Sequence, residues 1–113
     1  MSMAEKVGSG MQLLPARVDT SREDLRTEFA RDPFAAHPRE LALELGAMRA
    51  DPGLPRLVLI RVGPSRWIVA AARQPRGSGL SAVSDRVFTD LADAERFAFD
   101  QRWQWLRERE RHD

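Results

Sequence analysis

Two stretches in the middle of the chain are apolar at nearly every position, residues 57–62 (LVLIRV) and residues 67–72 (WIVAAA). Their β-branched content predicts strands, and the four residues from Gly63 to Arg66 between them suit a hairpin. Both alternate sets of each run are apolar, so the sheet they build asks for cover on both faces. Either the helices of the same chain supply that cover or a partner takes one face. On the N-terminal side, Leu25 and Phe29 stand four apart and predict a short helix to about Arg31, with Thr20 and Glu23 at the spacing of a capping box. Asp32-Pro33-Phe34 ends it, because a residue before proline avoids the helical region. Pro38 suits a first helical position, and Leu41, Leu45 and Met48 share one face of a second helix that stops at Pro52-Gly53.

After a loop over residues 74–79, a weaker third strand is expected near Arg86-Val87-Phe88. The last helix carries the clearest signals. Thr89 or Asp90 can cap it, and Asp93 and Glu95 complement the positive end of its dipole. Ala94, Trp105, Ala98, Leu91, Leu106, Phe99, Ala92 and Trp103 spread over an arc about 180° wide, with Phe97 outside it, whereas a helix resting on one sheet needs only about 100°. The surplus must meet the second helix of this domain or another chain. The pattern therefore predicts an α+β fold of two N-terminal helices, a three-stranded antiparallel sheet and a long C-terminal helix. Residues 1–19, with Gly8, Gly10 and Pro15 around Met11, Leu13 and Leu14, read as a flexible arm, and residues 20–113 as a single small domain.

Composition narrows the chemistry. The chain of 113 residues is one domain in length, with a formal net charge of +1 and neither Cys nor Tyr. Disulfides, thiolate nucleophiles, sulfur-built zinc sites and a phenolic acid/base are thereby removed. No apolar run approaches the ~20 residues of a membrane span and the N-terminus has no continuous apolar stretch, so a cytoplasmic location is expected. Lys6 is the only lysine among eighteen basic residues, which reads as the codon usage of a GC-rich genome. Their distribution says more: residues 56–86 hold six arginines against Asp85, net +5, while residues 87–113 hold five against seven acids, net −2.

No set of side chains completes a catalytic centre. His112 lies in a charged tail, and His37, just before Pro38, reads as a capping or packing residue. Asp32 and His37 are too few to hold a metal. No serine sits on a nucleophile elbow, and Arg76-Gly77-Ser78-Gly79 lacks the lysine and the spacing of a phosphate loop. No catalytic, cofactor-binding or metal-ligating residue is assigned. An interaction domain is the remaining class, with Trp67, Phe97, Phe99, Trp103 and Trp105 as expected partner contacts, because large aromatics dominate desolvated interfaces. Two alternatives stand beside a protein partner. One is a nucleic-acid-binding sheet using Arg61, Arg66, Arg73, Arg76 and Arg86, against which count the missing lysines and a single sheet aromatic, Trp67. The other is a homo-oligomeric interaction domain.

The order of features from Asp32 to about Arg107 resembles the small subunit of N,N-dimethylformamidase, a two-subunit bacterial amidohydrolase. The likeness rests on Asp32-Pro33-Phe34, His37-Pro38, an amphipathic helix, a hairpin holding Trp67, and Arg86-Val87-Phe88-Thr89 opening into a helix at Ala94-Glu95. The absence of Tyr and a shorter N-terminal segment depart from that pattern. The resemblance implies an accessory, non-catalytic subunit that docks on and stabilises a large catalytic subunit, which holds the iron that activates water against a small amide. It implies no cofactor and no catalytic residue on this chain.

Overall fold

A computed structural model of the chain describes residues 18–72, Gly77 and 79–112. Three helices and one sheet follow one another in the expected order: α1 (Glu23–Arg31), α2 (Arg39–Ala50), β1 (Leu57–Gly63), β2 (Arg66–Ala72), β3 (Leu80–Ala82) and α3 (Leu91–Arg111). The sheet is antiparallel throughout, in the order β1-β2-β3. The architecture is α+β, as the hydrophobic pattern predicts. Most of the expected arm over residues 1–19 lies outside the described residues. Val18 and Asp19 are described, and Val18 already belongs to the core.

The hairpin closes through Pro64 and Ser65, with Ser65 in the left-handed region at φ 51°. Leu57 faces Ala71, Leu59 faces Val69 and Arg61 faces Trp67, after which the register shifts so that Gly63 meets Arg66. Val62 is the extra residue of that shift. The third strand is not where the sequence suggests. It lies at Leu80–Ala82, pairing Ala82 with Ala70 and Leu80 with Ala72. Arg86-Val87-Phe88 contributes only an isolated bridge, in which Phe88 and Trp67 exchange two backbone hydrogen bonds of 2.8 Å.

Helix boundaries follow local chemistry with one exception. Asp90 caps α3 by accepting from the Ala92 amide at 2.9 Å. Pro38 stands one position before α2, with its carbonyl accepting from Ala42 N at 2.9 Å. The expected capping box at α1 does not form. The Thr20 hydroxyl donates instead to Glu110 near the end of α3 (3.0 Å), and Glu23 pairs with Arg107 and Arg26. A tertiary contact ninety residues away outbids the local one because the end of α3 arrives beside residue 20.

Two packed clusters divide the interior, and α3 serves both. On one flank Phe99, Trp103 and Leu106 meet Leu25 and Phe29 of α1 and Leu41, Leu45 and Met48 of α2. Phe29 and Phe99 stack at 4.4 Å between centroids, and Phe99 continues to Trp103 at 5.4 Å. Such aromatic pairs contribute about 0.5–1.5 kcal/mol each beyond the area they bury. On the other flank Ala94 and Ala98 lie against Leu57, Val69 and Phe88, with Leu59, Trp67, Ala71, Val83, Phe97 and Trp105 packed around them. The alanines matter because side chains this small let the helix axis settle close to the strands.

Ion pairs fasten the helices to one another. Arg26 of α1 reaches Asp100 of α3 (3.1 Å), and Arg109 makes a two-pronged contact with Asp51 at the end of α2 (2.6 and 3.1 Å). A Cβ at Gly53 would stand 2.7 Å from the Arg109 guanidinium, so a larger residue there would displace the tip of that side chain. The Arg109 charge holds the Asp51 carboxyl below the usual carboxylate range. Exposed pairs of this kind contribute about 0–1 kcal/mol each, so the aromatic core sets the stability and the pairs set the orientation.

Candidate partner-docking face

Strand alternation sends Leu57 and Leu59 of β1, Trp67, Val69 and Ala71 of β2, and Val83 just after β3 to the side where α3 lies. The opposite set is Val58 and Ile60 on β1, Ile68, Ala70 and Ala72 on β2, and Leu80 and Ala82 on β3. All seven are apolar. None of them packs into either hydrophobic cluster, and no described helix lies over them. Ala70, in the central strand between Val58 and Ala82, is buried, and Val58, Ile60, Ile68 and Ala72 are half-buried by their neighbours. At the corners Leu80 is 48% and Val62 51% exposed. This outer face of the sheet is a continuous set of apolar positions over which none of the described helices lies.

At the end of the sheet where the chain enters β1, a depression of about 390 Å³ opens beside Ala71 and Ala72. Pro52, Gly53, Leu54, Pro55 and Ser81 line it too, and none of these described residues is charged.

The residues proposed from sequence as partner contacts separate into two groups. Phe99 and Trp103 are only 2% and 1% exposed, enclosed by the chain's own helices, and have no surface to offer. The expectation that they anchor a partner gives way here: the surplus arc of α3 is taken up by α1 and α2. Trp67, Phe97 and Trp105 are half-buried around the sheet-side cluster. Phe97, which the helical wheel leaves outside the apolar arc, is drawn in by Phe88 at 5.3 Å because the segment after β3 crosses beside it.

Of the five arginines considered for nucleic acid, the three described ones, Arg61, Arg66 and Arg86, do not converge. Arg61 alternates toward the α3 side at the hairpin end, and its Nε donates to the Gly63 carbonyl at 3.3 Å. Arg66 alternates toward the outer face, and Arg86 lies over the rings of Phe88 (4.8 Å) and Phe97 (5.4 Å). Arg73 and Arg76 lie outside the described residues. His37 packs on Phe29 at 5.6 Å, with Nε2 3.2 Å from the Pro33 carbonyl, in keeping with a packing role. Among the described residues no group of three or more His, Cys, Asp or Glu is placed to hold a metal ion, and no helix is long and apolar enough to cross a membrane.

One buried carboxylate does stand out. Glu44 is 7% exposed and accepts from the Asp19 amide at 3.1 Å, while its second oxygen has no partner among the described residues. Burial pushes this carboxyl above its ordinary value. Its single bond ties the start of the described chain to α2, which is a structural task.

Sequence reasoning identifies the apolar runs at residues 57–62 and 67–72 but not the face they leave open. The signal was their excess of apolar positions. A helix layer on both sides would have used it up, and the described residues form only one.

The model of the N,N-dimethylformamidase alpha subunit family matches residues 17–112. The chain belongs to that family. No curated protein and no solved structure matches it.

Proposed function

We propose that this chain is the small accessory subunit of an amide-hydrolysing enzyme of the dimethylformamidase type, docking on its large catalytic subunit and stabilising it. The family is one of enzyme subunits, and a subunit needs a surface for its partner. One observation carries the reading: seven apolar positions on the outer face of the sheet have no cover from the described elements, in a chain too small to leave them wet without an aggregation hazard. Trp67, Phe97 and Trp105, each retaining some exposure, would extend the seat around the sheet margin. In this reading the iron and the bond-breaking residues belong to the large subunit, and this chain contributes placement and shelter from water.

The test is co-expression of the full chain with the large subunit, comparing the native sequence with Ile68→Glu. The native pair is expected to copurify and the variant to leave the large subunit alone and more heat-labile. An Ile68→Glu chain that copurifies as well as the native one would remove the outer face from the interface.

A further inference from the structure

Resting on that docking reading, we infer that the surface seated on the outer sheet face belongs to a different polypeptide and presents an apolar centre rimmed by carboxylates. The centre alone is too small to hold a partner. Strands of seven residues at ~3.4 Å each, spaced ~4.8 Å apart, make a patch on the order of 300 Å². A stable interface occupies about 800 Å² on each partner, so most of the contact must come from what surrounds the patch.

What surrounds it is positive and uncompensated. The Arg56 carbonyl accepts from Ala72 N at 2.9 Å, so Arg56 continues the alternation of β1 toward the outer face, and Arg66 opens β2 with the same facing. The two guanidinium groups flank the apolar centre at opposite corners. Both residues are exposed, and neither enters an ion pair with a described residue. All eight ion pairs among the described residues instead join helices and helix caps. Within the basic segment of residues 56–86, Arg61 and Arg86 lie on the α3 side, so Arg56 and Arg66 are the described cations of this rim. Interfaces place an apolar core inside a polar rim of complementary charge, so a rim of unpaired arginines selects carboxylates opposite.

The same charge disqualifies a second copy of this chain. A second copy would bring the same apolar positions and the same Arg56 and Arg66, and none of the described residues on the outer face is a carboxylate to meet them. The depression beside Ala72, whose described lining residues are uncharged, adds a seat for one apolar side chain of the partner at the edge of the patch.

The experiment measures association of the purified full chain with the purified large subunit at low and at physiological salt, for the native sequence, the double variant Arg56→Glu/Arg66→Glu, and Ile68→Glu. Circular dichroism of each variant verifies the fold. The double variant is expected to associate about tenfold more slowly and to lose most of the salt dependence, while Ile68→Glu abolishes the complex. If Ile68→Glu abolishes it but the double variant and salt change nothing, the acidic rim is wrong and the docking reading survives. If neither variant matters, the docking face itself is wrong. Light scattering of the full chain alone supplies the last outcome: a dimer dispersed by Ile68→Glu would assign the face to a second copy and overturn the proposal.

Discussion

The two faces of the sheet carry nearly the same kind of side chain and meet opposite fates. Val69 and Leu57 are sealed under Ala94 and Ala98 of α3, while Ile68 and Val58, their immediate neighbours, look away from every described helix. Hydrophobicity does not distinguish the faces; the supply of helix surface does. Among the described helices α3 alone lies on the sheet, and its second flank is already committed to Phe29, Leu41 and Met48 of the first two helices. The three described helices form one group on one side, so the pattern that looks like a surplus on α3 is balanced internally and the surplus among the described residues appears on the strands. An aromatic-rich helix is therefore a poorer guide to uncovered apolar surface in this domain than a sheet with two apolar faces.

The contrast is broken most directly at adjacent positions. Val69→Asp puts an unpaired carboxylate into the inner cluster, and denaturant titration should show a loss of several kcal/mol or no folded chain. Ile68→Glu, one residue away, should change the stability of the isolated chain by no more than about 0.5 kcal/mol. Similar losses from both would mean that the outer face is covered by the chain itself.

On the helical flank, Trp103→Ala should cost about 3–5 kcal/mol by the same titration, because the ring is enclosed and leaves a cavity. Near-native stability would place that ring outside the core. At the sheet end of α3, Asp90→Ala removes the cap on Ala92 N and should lower stability by about 1 kcal/mol, with amide exchange rising first in the opening turn of α3.

The smallest effect tests the other end of the helical cluster. Glu44 has its folded value raised by burial, so its contribution is fully present below the unfolded value near 4.5 and is lost as pH rises through the higher folded one. Glu44→Gln keeps an acceptor for Asp19 N without the buried charge. Its melting temperature should exceed that of the native chain at neutral pH, with the gain gone below pH 4.5. Asp51 works in the opposite sense: its lowered value gives stability above the unfolded value that is lost as pH falls through the folded one. A gain from Glu44→Gln that persists in acid would show that the carboxylate's charge is not the cause.

Much of this architecture is legible in particular residues. Pro33 and Pro52 mark where helices stop, Gly63 and Pro64 where the hairpin turns, and Asp90 where α3 begins. The errors are equally specific. Leu80-Ser81-Ala82 is too short and too weakly alternating to announce a strand, and becomes one because β2 offers an unpaired edge. Thr20 has the residues for a cap around it, yet bonds to Glu110, which no local window contains.

Sequence by itself determined the elements of this protein and its inventory of apolar side chains, because strand and helix periodicity are properties of neighbouring residues. Only the tertiary structure decided which of those side chains stay uncovered. Two alanines let α3 lie on one face of the sheet, Phe99 and Trp103 turned its other flank toward the first two helices, and none of the described helices lies on the second face. Cover is a property of the whole packing, and no stretch of chain read alone contains it.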